Sequence, residues 1–469
     1  MGVRVAFLIF QIAIATAMVV AAAADGAPPD RYTLIVVTAV GAFVVGLPVL
    51  FAPPSYGWFH PLVFAALYGT IGQVRSFATY AYGLTVHGAL PAATPEELNG
   101  LLVFGRLLAL VATVSLFAGY FLCPVPRAPV VLSAERPALQ RRLVLVVGAT
   151  AAVFVLFLVL RGGVVAHFAS WSRGRALALS GAYYWVVAVR AAGVAMLVWL
   201  AYRPRAYHNP MFWIAAAVSS VMAFAMTGSR SSVVFFIAIG LIIWMLQKRE
   251  VPLSRTALAL VGVVVLVGML GGLRDEVRRG GIEARGKVDM TFAANWERSI
   301  KETQQRSGAI RGDIAIYGNV PRNVDFLHGR SYLSLLTLPV PRGLWPGKPY
   351  VIEAMVGRTF FRMQAGVPPG GVAEAYWNFH VPGIVLVYFI FGGFLRWLAI
   401  FYVRNRAVPV VVFFYAFTLF NLSPSGTSII GWAFGLVPFV VVALWIGRFR
   451  LVLPRLRTQI YSSVRFNRA

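Results

Sequence analysis

Long apolar runs alternate with short polar breaks along this chain. A helix that crosses the hydrocarbon core of a bilayer needs about 20 apolar residues. Runs of that kind lie near 4–23, 32–52, 58–74, 99–122, 142–160, 180–201, 210–226, 231–247, 256–273, 381–402, 408–421 and 427–447. They predict an all-α integral membrane protein with about twelve transmembrane helices. The third run carries His60 and Gln73 and the eleventh is short, so either also fits a re-entrant segment. The first run has Arg4 ahead of it and four alanines, Ala21 to Ala24, at its end, which would suit a signal peptide. Its apolar part exceeds the about 7–15 residues usual there, so it is taken as an uncleaved span.

The pattern breaks between Arg274 and Phe379. This stretch is polar and rich in Arg, and it holds Asp275, Glu276, Glu283, Asp289, Glu297, Glu302, Asp313, Asp325, Glu353 and Glu374 out of 16 acidic residues in the whole chain. Three parts follow: an N-terminal bundle of about nine spans (1–273), one large loop (274–379), and C-terminal spans with a basic tail (380–469). No internal repeat or low-complexity tail is visible.

Charge sets the orientation. Arg127, Arg136, Arg141 and Arg142 follow the fourth span, Arg203 and Arg205 the sixth, Lys248, Arg249 and Arg255 the eighth, and Arg404 and Arg406 the tenth. The tail adds Arg448, Arg450, Arg455, Arg457, Arg465 and Arg468. These connections share one parity and are expected in the cytoplasm under the positive-inside rule. The opposite set is poorer, with Arg161, Arg173 and Arg175 as its cluster. The large loop falls on that other, external side, and long loops cross regardless of their charge.

Composition agrees and narrows the chemistry. The chain is 59% hydrophobic and 12% charged, with a mean hydropathy of +0.75. Its net charge of +26 is scattered singly between apolar runs, which argues against nucleic-acid binding. The lone Cys123 excludes an internal disulfide and a thiolate metal site. His60, His87, His167, His208, His328 and His380 lack metal-ligand spacing. No Gly-rich phosphate loop and no Gly-x-Ser-x-Gly elbow occurs, so no cofactor or metal is expected.

An enzyme acting on the external side needs an activated substrate already there, such as a sugar chain on a polyprenyl diphosphate. The leaving diphosphate gains charge and needs cations aimed at it. The acceptor hydroxyl needs a base within hydrogen-bond reach. Arg suits the first role because its fork matches phosphate oxygens.

Four places offer such groups. Thr227-Gly228-Ser229-Arg230 joins the seventh and eighth spans, which puts Arg230 at a helix N-terminus beside hydroxyl donors. Its plain alternative is a capped turn with Arg230 snorkelling to headgroups. Arg190 lies inside the sixth span, where a charge usually faces a cavity or a partner. Pro341-Arg342-Gly343-Leu344-Trp345-Pro346-Gly347-Lys348-Pro349 cannot be a regular helix and is expected to be a fixed turn that presents Arg342 and Lys348. Glu374 and Asn378 are four apart, so they share a face of a short helix that leads into the tenth span.

At these segments the chain resembles the O-antigen polymerase (Wzy-type) family of oligosaccharide repeat-unit polymerases. Thr-Gly-Ser-Arg at 227–230, Pro-Arg-Gly-Leu-Trp-Pro-Gly-Lys-Pro at 341–349 and Pro-Pro-x4-Glu-x-Tyr-x-Asn-Phe at 368–379 carry the resemblance, together with many spans and one large loop before the last few. The family pattern has Gly where this chain has Ala373 and His380.

The resemblance implies a metal-independent, inverting glycosyltransferase of the membrane (C-type) class with a helical fold. It would join polyprenyl diphosphate-linked oligosaccharides on the outer face of a bacterial cytoplasmic membrane. Chain-length regulator and flippase proteins are the partners implied beside the lipid bilayer. The diphosphate would be gripped by Arg230, Arg342 and Lys348, with Ser229, Arg190 and Arg330 as helpers. Glu374 or His380 would be the base, assisted by Asn378, with Asp313 and Asp325 next in line. An O-antigen ligase uses the same donor and is the nearest alternative. A lipid-linked oligosaccharide flippase is a more distant one, since transporters typically show internal repeats.

Overall fold

The computed structural model describes residues 29–50, 59–70, 94–173, 181–248, 308–337, 344–363 and 366–452, with Val340 and scattered positions within 5–20 and 262–270. In chain order the elements are α1 (Pro29–Gly46), α2 (Pro61–Thr70), α3 (Pro95–Leu122), β1 (Val130–Glu135), α4 (Leu139–Leu160) and α5 (Gly163–Ala169). They continue with α6 (Tyr183–Tyr202), α7 (Pro210–Thr227), α8 (Arg230–Lys248), α9 (Gly308–Asn319), α10 (Arg330–Leu336) and α11 (Ile352–Phe361). The chain closes with α12 (Gly371–Asn405), α13 (Pro409–Asn421), α14 (Gly426–Ile446) and β2 (Gly447–Val452).

Among the described residues six helices are long and apolar enough to cross a membrane, and they coincide with the runs near 99–122, 142–160, 180–201, 210–226, 381–402 and 427–447. The protein is therefore a multi-pass, mostly α-helical membrane protein. The runs near 32–52, 58–74, 231–247 and 408–421 are helices as well, but shorter apolar ones. The runs near 4–23 and 256–273 lie, apart from scattered positions, outside the described residues.

Local sequence fixes where helices begin. Thr94 caps α3 in a reciprocal box: its hydroxyl accepts from the Glu97 N–H at 3.2 Å, and Glu97 Oε2 accepts from the Thr94 N–H at 3.0 Å. Asn209 caps α7 ahead of Pro210, and Ser425 caps α14. Large side chains stay exposed on the lipid-facing sides of the helices, such as Val159, Leu160, Val221 and Ile390.

α3 and α12 form the closest crossing. A Cβ on Gly119 would come within 1.9 Å of the Phe389 carbonyl oxygen, and one on Gly392 within 2.0 Å of the Leu116 carbonyl oxygen. Small residues let backbones of membrane helices approach in this way. α3 has 28 residues, about 42 Å at 1.5 Å per residue, against a hydrocarbon core of about 30 Å. Its N-terminal part therefore rises to meet α9 of the large loop, where Tyr317 lies against Gly105.

The helical bundle also carries one small sheet. β1 and β2 form a two-stranded antiparallel sheet with Val130 opposite Val452 and Glu135 opposite Gly447. Asn405 ties this sheet to the end of α12. Its Oδ1 accepts from the Val131 N–H at 2.7 Å, and its Nδ2 donates to the Pro129 carbonyl at 2.9 Å. Arg203 pairs with Glu135 at 2.8 Å. The connections after α3, α6 and α12 thus meet at one end of the bundle. The loop helices α9 to α11 and the N-termini of α6, α8, α12 and α14 lie at the other.

Candidate functional site

At the end away from the sheet, α7 stops at Gly228, whose φ of 59° is a left-handed conformation suited to glycine. Thr227 Oγ1 accepts from the Ser229 N–H at 3.2 Å, and the Ser229 carbonyl accepts from the Ser232 N–H at 3.2 Å. α8 begins at Arg230, so the backbone of that residue opens a helix as the sequence predicts.

Beside this turn lies a cavity of about 170 Å³. Arg190, Thr227, Ser229, Ser232 and Asn421 supply its polar wall, and Val186, Val194, Leu197, Phe235 and Phe236 its apolar one. Arg190 thus faces a cavity, one of the outcomes expected of a charge inside a span. A larger groove of about 390 Å³ between α6, α7 and α8 shares Leu197 and Phe236 with it and is otherwise almost wholly apolar. The Phe236 ring packs directly on Gly193, where a Cβ would lie 2.1 Å from it.

A second polar cluster is built around α12. The helix starts after Pro368-Pro369-Gly370 and breaks at Phe379 and His380, with His380 at φ 58°, ψ −153°. Pro382 follows and lacks an N–H to mend the break. The carbonyls of Trp377 and Asn378 instead accept from the N–H groups of Leu327 and His328, at 2.9 and 3.1 Å. Asn378 Oδ1 accepts from the Gly329 N–H at 3.0 Å, and its Nδ2 donates to Ser331 Oγ at 2.8 Å. Ser331 Oγ donates in turn to Glu374 Oε1 at 2.7 Å, while Glu374 Oε2 accepts from the Gly426 N–H at 2.6 Å. Glu374 and Asn378 are fully buried. They share a face as predicted, and that face points inward to α10 and to the start of α14.

A base must reach its proton, and Glu374 is closed off with a donor on each oxygen. His380 is exposed at the break, its ring 5.0 Å from that of Tyr376 and 5.8 Å from that of Phe326. Burial pushes the neighbouring Tyr332 hydroxyl well above its ordinary value, helped by the charge on Glu374, so it stays protonated.

The remaining candidates are dispersed. Lys348 lies in an irregular turn, and its Nζ donates to the Val340 carbonyl at 2.9 Å. Arg342 lies outside the described residues, as does any account of the Arg230 side chain. Arg330 is exposed at the first residue of α10. Asp313 accepts from the Gly370 N–H and so fixes the Pro-Pro-Gly-Gly turn, and the Asp325 carbonyl accepts from Trp377 Nε1. Neither Lys348 nor Glu374 lines the Arg190 cavity. Among the described residues no three His, Cys, Asp or Glu side chains gather as they would around a metal.

Sequence reasoning passed over three residues. Arg106 sits inside a predicted span, and a lone charge there was the signal that could have found it. Asn421 and Ser331 carried no such signal, because each matters only through what it meets in space.

These features define the class: a multi-pass, mostly helical membrane protein with a part-polar cavity among its spans. No family model, curated protein or solved structure matches the chain.

Proposed function

We propose that this protein is a glycosyltransferase that polymerises polyprenyl diphosphate-linked oligosaccharide repeat units for a surface polysaccharide. The observation that carries the reading is the Arg190 cavity, with hydroxyls beside its cation, next to an apolar groove that shares Leu197 and Phe236 with it as lining. The cavity suits a diphosphate and the groove a prenyl chain. The loop side is the external face of the cytoplasmic membrane, by the segregation of basic connections to the sheet end.

In the reaction the bond from the donor sugar's anomeric carbon to the diphosphate oxygen breaks. A bond from that carbon to an acceptor hydroxyl forms, and the hydroxyl proton passes to a base. The lipid diphosphate leaves carrying the electron pair, stabilised by Arg190, Ser229 and the first turn of α8. His380 is the better-placed base because it is exposed, and Glu374 and Asn378 hold the backbone that presents it. No metal or cofactor enters the scheme.

The test is incubation of the purified full chain with lipid-linked repeat units as sole substrate. A ladder of multiples of the repeat is the expected product. Transfer only onto an added, chemically different lipid acceptor would identify a ligase instead. No transfer, with movement of the lipid-linked unit across a vesicle membrane, would identify a flippase.

A further inference from the structure

The Arg190 cavity has a neighbour. On the far side of Asn421 lies a second chamber of about 530 Å³, enclosed by α3, α12, α13 and the chain around Pro61 to Gly69. Asn421 lines both spaces. It is the last residue of α13, and its Nδ2 donates to the Phe417 carbonyl at 2.7 Å.

The second chamber repeats the design of the first. Arg106, Ser423, Ser428 and the backbone of Gly370 and Gly371 form its polar end, while Leu116 and Leu395 are among the apolar side chains that complete it. Its polar end is fixed by the loop. The Gly370 N–H donates to Asp313, and Ser423 Oγ donates to Ser428 Oγ at 2.7 Å. Its size falls within the about 300–1,000 Å³ range of ligand pockets.

Two amphipathic chambers, each with one arginine and several hydroxyls in its lining, share one side-chain wall, and Arg106 also lies within electrostatic reach of Asp313. We infer that the Arg106 chamber is a second phosphate-headed polyprenyl lipid site, and that Asn421 is the partition across which the two lipid-borne head groups face each other. The inference rests on the reading of the first cavity as a polyprenyl diphosphate site and supplies the place of the second lipid-linked unit. A polymerase needs two substrates of the same chemistry at once, and two chambers of like construction provide for that.

The test uses the full-length protein in nanodiscs, with a long-chain polyprenyl phosphate bearing a photoactivatable prenyl group as the probe. Native mass spectrometry should count two bound probes per chain. Crosslinked peptides should fall in two sets, 106–117 with 419–428, and 186–197 with 226–236. Arg106→Ala should weaken one site by about 10- to 150-fold, the loss of one charge-assisted contact, and leave the other unchanged. Thr113→Phe narrows the same chamber while keeping Arg106, and should also leave one bound probe. Arg190→Ala should remove the other.

One bound probe in the wild type, lost in Arg190→Ala but kept in Arg106→Ala and Thr113→Phe, overturns the second site and leaves the first intact. Binding of no probe overturns both readings. Displacement of the chamber's probe by phosphatidylglycerol at equal concentration assigns the chamber to bilayer lipid and overturns its substrate role.

Discussion

Glu374 and Gly426 are joined by a 2.6 Å hydrogen bond from the glycine N–H to the glutamate Oε2. That contact places a carboxylate at the first turn of α14, where N–H groups lack intrahelical partners and the helix dipole favours negative charge. The other oxygen holds Ser331, so one side chain links α12, α14 and α10.

Replacing Glu374 by Gln puts an N–H₂ opposite either the Gly426 N–H or the Ser331–Asn378 pair. One buried donor then loses its acceptor, at a cost of about 1–3 kcal/mol. The expected outcome is a lower Tm in detergent and faster proteolysis of the 320–337 segment, together with lost polymerisation. A Glu374→Gln variant with wild-type Tm and no activity would show instead that Glu374 itself takes the proton.

His380 occupies a backbone region that is essentially glycine's own, at a cost of about 1–3 kcal/mol. His380→Gly should therefore raise the Tm. It should also slow transfer strongly without weakening lipid binding, because the base is gone while the chambers remain. If His380→Gly and His380→Ala both polymerise at wild-type rate, the imidazole has no part in proton transfer.

The contact between α3 and α12 leaves no room for a side chain. Gly119→Val or Gly392→Val should destabilise the bundle by about 1–3 kcal/mol or more, since backbone carbonyls cannot move aside as side chains can. Gly100→Ala, where a Cβ meets nothing within 4 Å, is the control and should keep or slightly raise the Tm, since Ala is the better helix former. Thermal melts of the three variants in one detergent decide the matter.

Topology can be checked through the sheet. Leu132 and Arg450 are register partners, so cysteines placed at both should crosslink on oxidation. A single cysteine at Arg448 should react with an impermeant maleimide only after cells are opened, whereas one at Gln304 should react from outside intact cells. Labelling in the reverse pattern would place the loop in the cytoplasm and remove the proposed substrate from its reach.

Much of the architecture is legible because a bilayer imposes length on its helices. The six long spans follow from apolar run length alone, and the start of α8 at Arg230 follows from the Thr-Gly-Ser turn before it. The break at Phe379 and His380 is not legible in the run, which reads as a short helix leading into the tenth span. What the pattern could not reveal is set by distant partners. Glu374 reads as a helix-surface acid until α14 arrives over it from 52 residues away. β2 carries a period-two alternation of Arg448, Phe449, Arg450 and Leu451, yet it reads as a basic tail because nothing local tells it to pair with β1. Arg106 was in plain view, but its chamber takes its remaining walls from helices far along the chain.

The sheet has a consequence for how the molecule is made. β1 leaves the ribosome early, and its partner strand is among the last described segments to be synthesised. Until then β1 carries an open edge beside the forming bundle, a template for pairing with another chain. Closure of the strand pair thus marks the point at which α3, α12 and α14 have all been delivered to the same side of the membrane. A nascent chain stopped before Gly447 would carry its spans without that clasp.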